Sequence, residues 1–338
     1  MTEPRKLRWG ILGAARVNER LLPAIVEGRN SELVAIASRR PGAAAETLQK
    51  YAPKVTGVRL HDDLESLLKA DDIQAVYLPM ANEEHAEWAL RAIEAGKHVL
   101  IEKPLALTVA DIEAIETAAR SKGVKVMEGF MYLFHPQHTR VRELIQSGLI
   151  GEVKYVRTAY SFMMRAARMY RVSRTPQQGG GAMWDIGPYA IHSLQLWFDH
   201  APVSVMAMAK FNEHGADIAT TGILDFGNGR HGHFDISFET TRRSEYEIFG
   251  DKGSIKCHTV WQLPGDVPVI SWSTEDGRRG TEQLLPANHF NLEIEHFSDC
   301  VLNDQAPFIS LENAKSTCRT INAVLQSAAE GRAVTIAG

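Results

Sequence analysis

The chain has 338 residues, 44% of them hydrophobic and 23% charged, which suits about two ordinary globular domains and excludes disordered and collagen-like classes. A net charge of −4 and a pI near 6.4 leave no basic excess for a nucleic acid or an anionic membrane surface. No apolar run approaches the roughly 18 residues of a membrane span, and the N-terminal "MTEPRKLRWGILG" lacks an apolar signal core. The three cysteines, Cys257, Cys300 and Cys318, are widely separated and read as buried free thiols of a cytoplasmic protein. Thirteen histidines are scattered, and the strand pair His231 and His233 has no third ligand nearby, so no metal site is expected.

In chain order, "LRWGILG" (7–13) reads as a strand, followed by a helix through "ERLLPAIVEG". "ELVAIAS" (32–38) is a second strand and "GAAAETLQKYA" a second helix. In "DDLESLLKA", Asp62 and Glu65 have the spacing of an N-cap and its capping-box partner. "AVYLP" (75–79), "HVLI" (98–101) and "VKVM" (124–127) are further strands, separated by helical "EEHAEWALRAIEAG" and "TVADIEAIETAARSKG". Apolar strands alternating with helices imply a parallel sheet covered on both faces.

The pattern changes near residue 130. "QHTRVRELIQSG" is an amphipathic helix, a strand follows near "VKYVRTAYSF", and "GGGAMWDIGPYAIHSLQLWFD" reads as a glycine-led helix. From "VSVMAMAKF" onward strands alternate with turn signals at "FGNGR" and "GDKG", which predicts an antiparallel meander. Two helices close the chain, and no repeat or low-complexity linker interrupts it. The expected division is an α/β domain over 1–130 and an α+β domain over 131–338.

The first strand–helix junction, Gly13-Ala14-Ala15-Arg16-Val17-Asn18, stands where a dinucleotide fingerprint belongs. Gly13 takes the first glycine position, with Ala15 and Asn18 at the second and third, where Asn18 is expected to crowd the helix–strand contact. The second strand ends in Ser38, Arg39 and Arg40 instead of the acid that holds a ribose 2′-hydroxyl. The nearby Glu32 lies at the other end of that strand, roughly 20 Å away at about 3.3 Å per residue. A hydroxyl beside a guanidinium suits a phosphate monoester, so Ser38 and Arg39 point to NADP, with NAD possible; Arg40 also fits a solvated loop.

Ligands of an open α/β sheet bind beyond the carboxyl ends of its strands. Glu102 and Lys103 end a short apolar strand there, and the segment "PMANEEH" carries Pro79, Asn82 and His85 to the same edge. A surface ion pair would be worth little, and Pro104 directly after the lysine restricts the backbone, which speaks for a placed charge.

Together, "GILGAARV", "HAEW" from His85, "AGKHVLIEKPLA", "EGFMYLFHP" and "GGGAMWDIGPY" resemble the Gfo/Idh/MocA oxidoreductases. The nearest branch is that of glucose-fructose oxidoreductase, dihydrodiol dehydrogenase and NADP-linked D-xylose dehydrogenase. The resemblance implies a Rossmann domain followed by a domain with a large open-faced, mainly antiparallel sheet, often a dimer interface. It also implies a catalytic lysine at Lys103 beside the nicotinamide. Asp185, Tyr189 and His192 fall at i, i+4 and i+7 of the expected helix, on one face, and Asp185 is expected with Tyr189 and Lys103 among the catalytic and substrate-contacting residues. Where much of the family has histidine, this branch and this chain have tyrosine, so Tyr189 inherits the acid–base role. A phenol is a poor base at neutral pH, and a nearby Lys103 ammonium would favour the phenolate. Tyr189 can also be read as a helix aromatic in a domain interface, and His192 as either a substrate contact or a satisfied core histidine. Arg171 matches an aromatic–Arg pair that reaches cofactor or substrate in family members.

The expected activity is hydride transfer between NADP and a sugar or polyol hydroxyl or carbonyl, with C1 oxidation of an aldopyranose to the lactone foremost. Keto-sugar reduction, trans-dihydrodiol oxidation, a two-substrate oxidoreductase and a non-catalytic dinucleotide sensor are the alternatives. A homodimer or homotetramer is expected, because apolar residues alternate along strands over 203–240 and would leave an open sheet wet.

Overall fold

The computed structural model of the protein describes residues 5–261 and 265–336. Its contacts divide the chain into two compact units, residues 1–134 with 289–315 and residues 135–288 with 316–338.

The first unit alternates strand and helix as its sequence pattern requires. β1 (Leu7–Leu12), α1 (Asn18–Glu27), β2 (Ser31–Ala37), α2 (Ala43–Tyr51) and β3 (Arg59–His61) form one half. α3 (Leu64–Leu68), β4 (Ala75–Leu78), α4 (His85–Glu94), β5 (His98–Glu102), α5 (Val109–Lys122) and β6 (Val126–Gly129) form the other. The strands pair in parallel in the order β3-β2-β1-β4-β5-β6, the doubly wound order with its switch point between β1 and β4. β4 is buried at every position, as a central strand covered on both faces must be. Helix α3 begins one residue later than Asp62 and Glu65 imply. Asp63 is its N-cap, accepting from Ser66 N at 2.7 Å, while Asp62 accepts from Gly42 N at 3.3 Å.

The second unit opens with α6 (Pro136–Gln146), β7 (Val153–Ser161), α7 (Ala182–Asp185) and α8 (Gly187–Phe198). β8 (Ser204–Phe211), β9 (Asp217–Asp225), β10 (His231–Ser237), β11 (Arg243–Gly250), β12 (Gly253–Cys257), β13 (Val269–Thr274) and β14 (Arg279–Gln283) follow. In chain order α9 (His289–Leu302), which belongs to the first unit, α10 (Leu311–Glu330) and β15 (Val334–Thr335) come after them. The sheet order is β14-β13-β12-β11-β7-β10-β9-β8-β15. The hairpins at the two turn signals form as expected, with Gly227, Asn228 and Gly229 at positive φ between β9 and β10. The meander does not run on between β10 and β11. β7 lies between them, parallel to β10 and antiparallel to β11.

Two further expectations are corrected. The boundary at residue 130 assigns 289–315 to the second domain, yet α9 groups with the first unit. Trp9, fully buried on β1, donates from Nε1 to Ser298 Oγ at 3.2 Å and lies 5.5 Å from the Phe297 ring. The Asn30 amide donates to Glu295 O at 2.9 Å and to Asp299 Oδ1 at 2.8 Å. The long helix read from the glycine run is broken: α7 ends at Asp185, and α8 restarts with Pro188 in its first turn, where a missing N–H costs nothing.

The glycine run has a steric cause. Gly181 has φ +106°, and a Cβ there would lie 2.2 Å from Asp217 Oδ1; at Gly180 one would lie 2.1 Å from Arg174 O. Asp217, on β9, accepts from Met183 N at 3.0 Å through Oδ2 and so caps α7 from outside its own segment. Gly181→Ala is expected to destabilise the second unit by at least about 2 kcal/mol, combining left-handed strain with loss of this cap. Urea unfolding followed by near-UV circular dichroism checks this.

Candidate active site

A cleft opens beyond the carboxyl ends of β1, β2 and β4, lined by Gly13, Ala14, Ala15, Ser38, Arg39, Arg40, Leu64, Pro79, Met80, Ala81 and Glu84. Gly13 is held at φ +136°, a conformation side chains avoid, by its N–H donating to Ala37 O at 2.9 Å. A Cβ there would point at Pro79 Cγ, 3.6 Å away, at the mouth of the cleft. Asn18 does not crowd the junction. Fully buried, it donates from Nδ2 to Gly13 O at 2.8 Å and ties helix to loop. The Val17 carbonyl accepts from Arg20 N at 2.8 Å, so Arg16 and Val17 form the turn into α1 beside the cleft. A glycine at positive φ, a helix start and an arginine-bearing strand end make this cleft fit for a dinucleotide.

Ser38 is buried, and its Oγ accepts from Arg40 N at 3.2 Å. Arg39 does not stand free over the cleft. It donates from Nη2 to Glu84 Oε2 at 2.9 Å, and that carboxylate raises its pKa. Arg40 pairs with Glu46 at 3.3 Å on the surface.

The turn after β5 is held from two sides. The Lys103–Pro104 peptide is cis. His85, expected among the cofactor contacts, is fully buried, with Nδ1 at 2.7 Å from Pro104 O and Nε2 at 3.1 Å from Met80 O. Burial lowers its pKa, and Lys103 adds to that effect. Glu128 on β6, 2% exposed, accepts from Leu105 N through Oε1 at 2.8 Å. Glu102 accepts from the Tyr77 hydroxyl at 2.6 Å. Asn82 begins the short helical turn Asn82–Glu84 that leads into His85. Glu293 on α9 is also buried, and burial followed by repulsion from Glu102 raises its pKa well above the carboxylate range.

The second unit carries the other group of candidates. Asp185, at the end of α7, forms an ion pair with Arg171, which raises the arginine's pKa first by its charge. Tyr189 lies on α8, buried, with its ring 5.8 Å from Tyr160 and 6.1 Å from Trp261, and Tyr160 stacks on Trp261 at 4.8 Å. His192 is buried on the same helix, and burial pushes it down to about 4, so it is neutral at physiological pH. Burial also pushes the Tyr160 phenol up to about 12. Among the described residues no group of three or more His, Cys, Asp and Glu could hold a metal ion, and no helix is long and apolar enough to cross a membrane.

Glu128 and Glu84 escape a reading of the sequence. A lone glutamate in "VKVMEGF" is a signal, since a charge closing an apolar strand is costly unless placed. Nothing local marks Glu84 as the partner of Arg39. Burial raises Glu128 to about 7, with Leu105 N–H and Lys103 opposing the shift and Glu102 adding to it. The folded state therefore holds this proton more tightly than the unfolded one. Its contribution to stability is largest below the unfolded value and falls as pH rises to about 7, by roughly 3 kcal/mol in all. Glu128→Gln keeps an acceptor for Leu105 and should remove that fall. The difference in unfolding free energy between variant and parent should shift in the variant's favour from pH 4.5 to pH 8, measured by denaturant titration.

Residues 7–130 match the profile of the oxidoreductase family with an NAD-binding Rossmann fold, and residues 138–256 match the GFO/IDH/MocA C-terminal domain. A D-xylose 1-dehydrogenase (NADP⁺) from Haloferax volcanii is 30% identical over 97% of this chain and 99% of its own. A 3-ketoreductase from Actinomadura kijaniata, solved with NADP and TDP-benzene, superposes with a TM-score of 0.87 at 29% identity, covering 96% of this chain and 98% of that one. An aldose-aldose oxidoreductase from Caulobacter crescentus, solved with glycerol, gives 0.87 at 25% identity over 98% and 100% of the two chains. A parallel sheet in doubly wound order, a dinucleotide cleft at its switch point and matches along both units lead to one assignment: the chain is an oxidoreductase of the Gfo/Idh/MocA family.

Proposed function

We propose that the protein is an NADP-dependent dehydrogenase that oxidises C1 of an aldopyranose to the lactone. The observation that carries this reading is the place of Lys103, directly after β5 at the carboxyl edge of the sheet, in a turn anchored by two buried side chains. Such anchoring suits a charge held for a reaction. The D-xylose 1-dehydrogenase relative supports a pentose or related aldose as substrate. The 3-ketoreductase neighbour favours a second reading, the reduction of a keto-sugar.

NADP is favoured over NAD because Ser38 and Arg39 border the cleft where an NAD site would place an acid. Gly13, lacking a side chain, would let a pyrophosphate approach the backbone of Ala14 and Ala15. When bound, the cofactor supplies the acceptor for the hydride that leaves C1. Tyr189, acting as the phenolate, would take the proton of the C1 hydroxyl and become the phenol, and the Lys103 ammonium would stabilise the negative charge that develops on the substrate oxygen. The Arg171–Asp185 pair holds the entrance to α8 and fixes the helix on which Tyr189 is carried.

The chain is further inferred to form a dimer or tetramer through the outer face of its larger sheet. There Met206 on β8 is 46% exposed, Met208 72% and Ile223 on β9 52%.

Incubation with a panel of aldoses and either NADP⁺ or NAD⁺, read by nicotinamide absorbance, should show turnover with NADP⁺ and aldoses. No reduction of either cofactor with any aldose would overturn the reading in favour of the keto-sugar reductase. Lys103→Met and Tyr189→Phe should each slow stopped-flow hydride transfer by at least about 100-fold, with cofactor affinity little changed. The double variant should be little worse than the worse single one, because groups acting as a unit are not additive. Sedimentation at micromolar concentration should give a mass above the 37.5 kDa of one chain. Met208→Glu with Ile223→Glu should return it to the monomer.

A further inference from the structure

Arg39 enters the dinucleotide cleft already bound to a carboxylate. Its Nη2 donates to Glu84 Oε2 at 2.9 Å, and both residues line the cleft with Ser38 and Gly13. The two come from different strand ends, Arg39 after β2 and Glu84 from the helical turn after β4, so the pair bridges the switch point. Glu84 is the more enclosed partner, with 26% of its side chain exposed against 59% for Arg39. Glu87 adds a second, weaker negative field on Arg39.

We propose that Glu84 is a specificity-determining residue, a built-in counter-anion that competes with the cofactor's 2′-phosphate for Arg39. The inference rests on the assignment of NADP given above and adds to it the residue that tempers the preference. A dianionic phosphate approaching Arg39 meets a carboxylate on the same guanidinium. It must displace Glu84 or share the donors with it, and either course reduces the gain from the new charge-assisted hydrogen bonds. A 2′-hydroxyl carries no charge, so that carboxylate does not repel it and can accept a hydrogen bond from it. Glu84 therefore weakens NADP selectively, lowering its discrimination from NAD below what Ser38 and Arg39 alone would provide. Arg40 also borders the cleft, but its exposed pairing is with Glu46 and not with Glu84, so the competition is confined to Arg39. The Arg39–Glu84 pair is partly solvated, so its hold on Arg39 is modest.

Calorimetric titration of the intact protein with NADP⁺, NAD⁺ and 2′,5′-ADP tests this without reference to turnover. Glu84→Gln should tighten NADP⁺ and 2′,5′-ADP by roughly two- to tenfold and give NAD⁺ no comparable gain. Glu83→Gln, the same charge change on the adjacent exposed residue, should move NADP⁺ less than Glu84→Gln does. In an Arg39→Gln background the effect of Glu84→Gln should vanish, because the carboxylate acts through that guanidinium. An unchanged or weakened NADP⁺ affinity in Glu84→Gln would overturn the proposal, as would an equal gain in Glu83→Gln or one that survives Arg39→Gln. Equal affinities of the parent for NADP⁺ and NAD⁺, insensitive to Arg39→Gln, would instead overturn the NADP assignment itself.

Discussion

The turn that follows β5 depends on two buried polar side chains that have little freedom to do anything else. His85 places its ring nitrogens against the carbonyls of Pro104 and Met80, and Glu128 accepts the Leu105 N–H. Both are almost completely removed from water, where an unmade hydrogen bond costs more than a made one returns. Both hold the Pro104–Leu105 peptide directly after Lys103, while the lysine itself is only partly buried. The parallel sheet places the turn at the ligand edge, and these two contacts orient it. A side chain that starts from an anchored turn is the physical basis of the role proposed for Lys103.

The second unit solves a similar problem with a different device. Its candidate groups lie where a short helix gives way to a longer one, and the junction is held by long-range contacts. Asp217 reaches from β9 to cap α7, and the space it needs explains why Gly181 has no side chain. Burial pushes Asp217 up to about 6, against the opposing hydrogen bonds of Thr220 and the α7 backbone, so the cap is itself electrostatically costly. Asp185, at the end of that helix, is neutralised by Arg171 from the preceding loop. The α8 helix that follows is buried almost all round, which suits a helix carrying a phenol against aromatic neighbours and a neutral histidine behind it.

Charge in the dinucleotide cleft is partly offset by the protein itself. Arg39, which with Ser38 is read from the sequence as a phosphate contact, is paired with Glu84, while Arg40 makes an exposed pair with Glu46. A guanidinium with no carboxylate beside it would hold a phosphate more strongly, and this is the physical basis of the role proposed for Glu84.

Much of this was legible in the sequence alone. The alternation of apolar strands and amphipathic helices dictates a parallel sheet, since strands buried on both faces carry continuous apolar runs. The glycine that ends β1, the missing acid at the end of β2 and the Glu-Lys-Pro that closes β5 are local features, and they mark the ligand edge without coordinates. Tertiary structure alone decided which elements are neighbours. It placed β7 between β10 and β11, joined α9 to the first unit through Trp9 and Asn30, and split the glycine-led helix at Ile186. It also paired Arg39 with Glu84, 45 residues away, and set Glu128 against Leu105. The physical reason is one of range. Periodicity and turn chemistry act over a few residues and report which face of an element is apolar. The partner that meets that face, or answers a charge at its end, is chosen by packing between segments far apart in the chain.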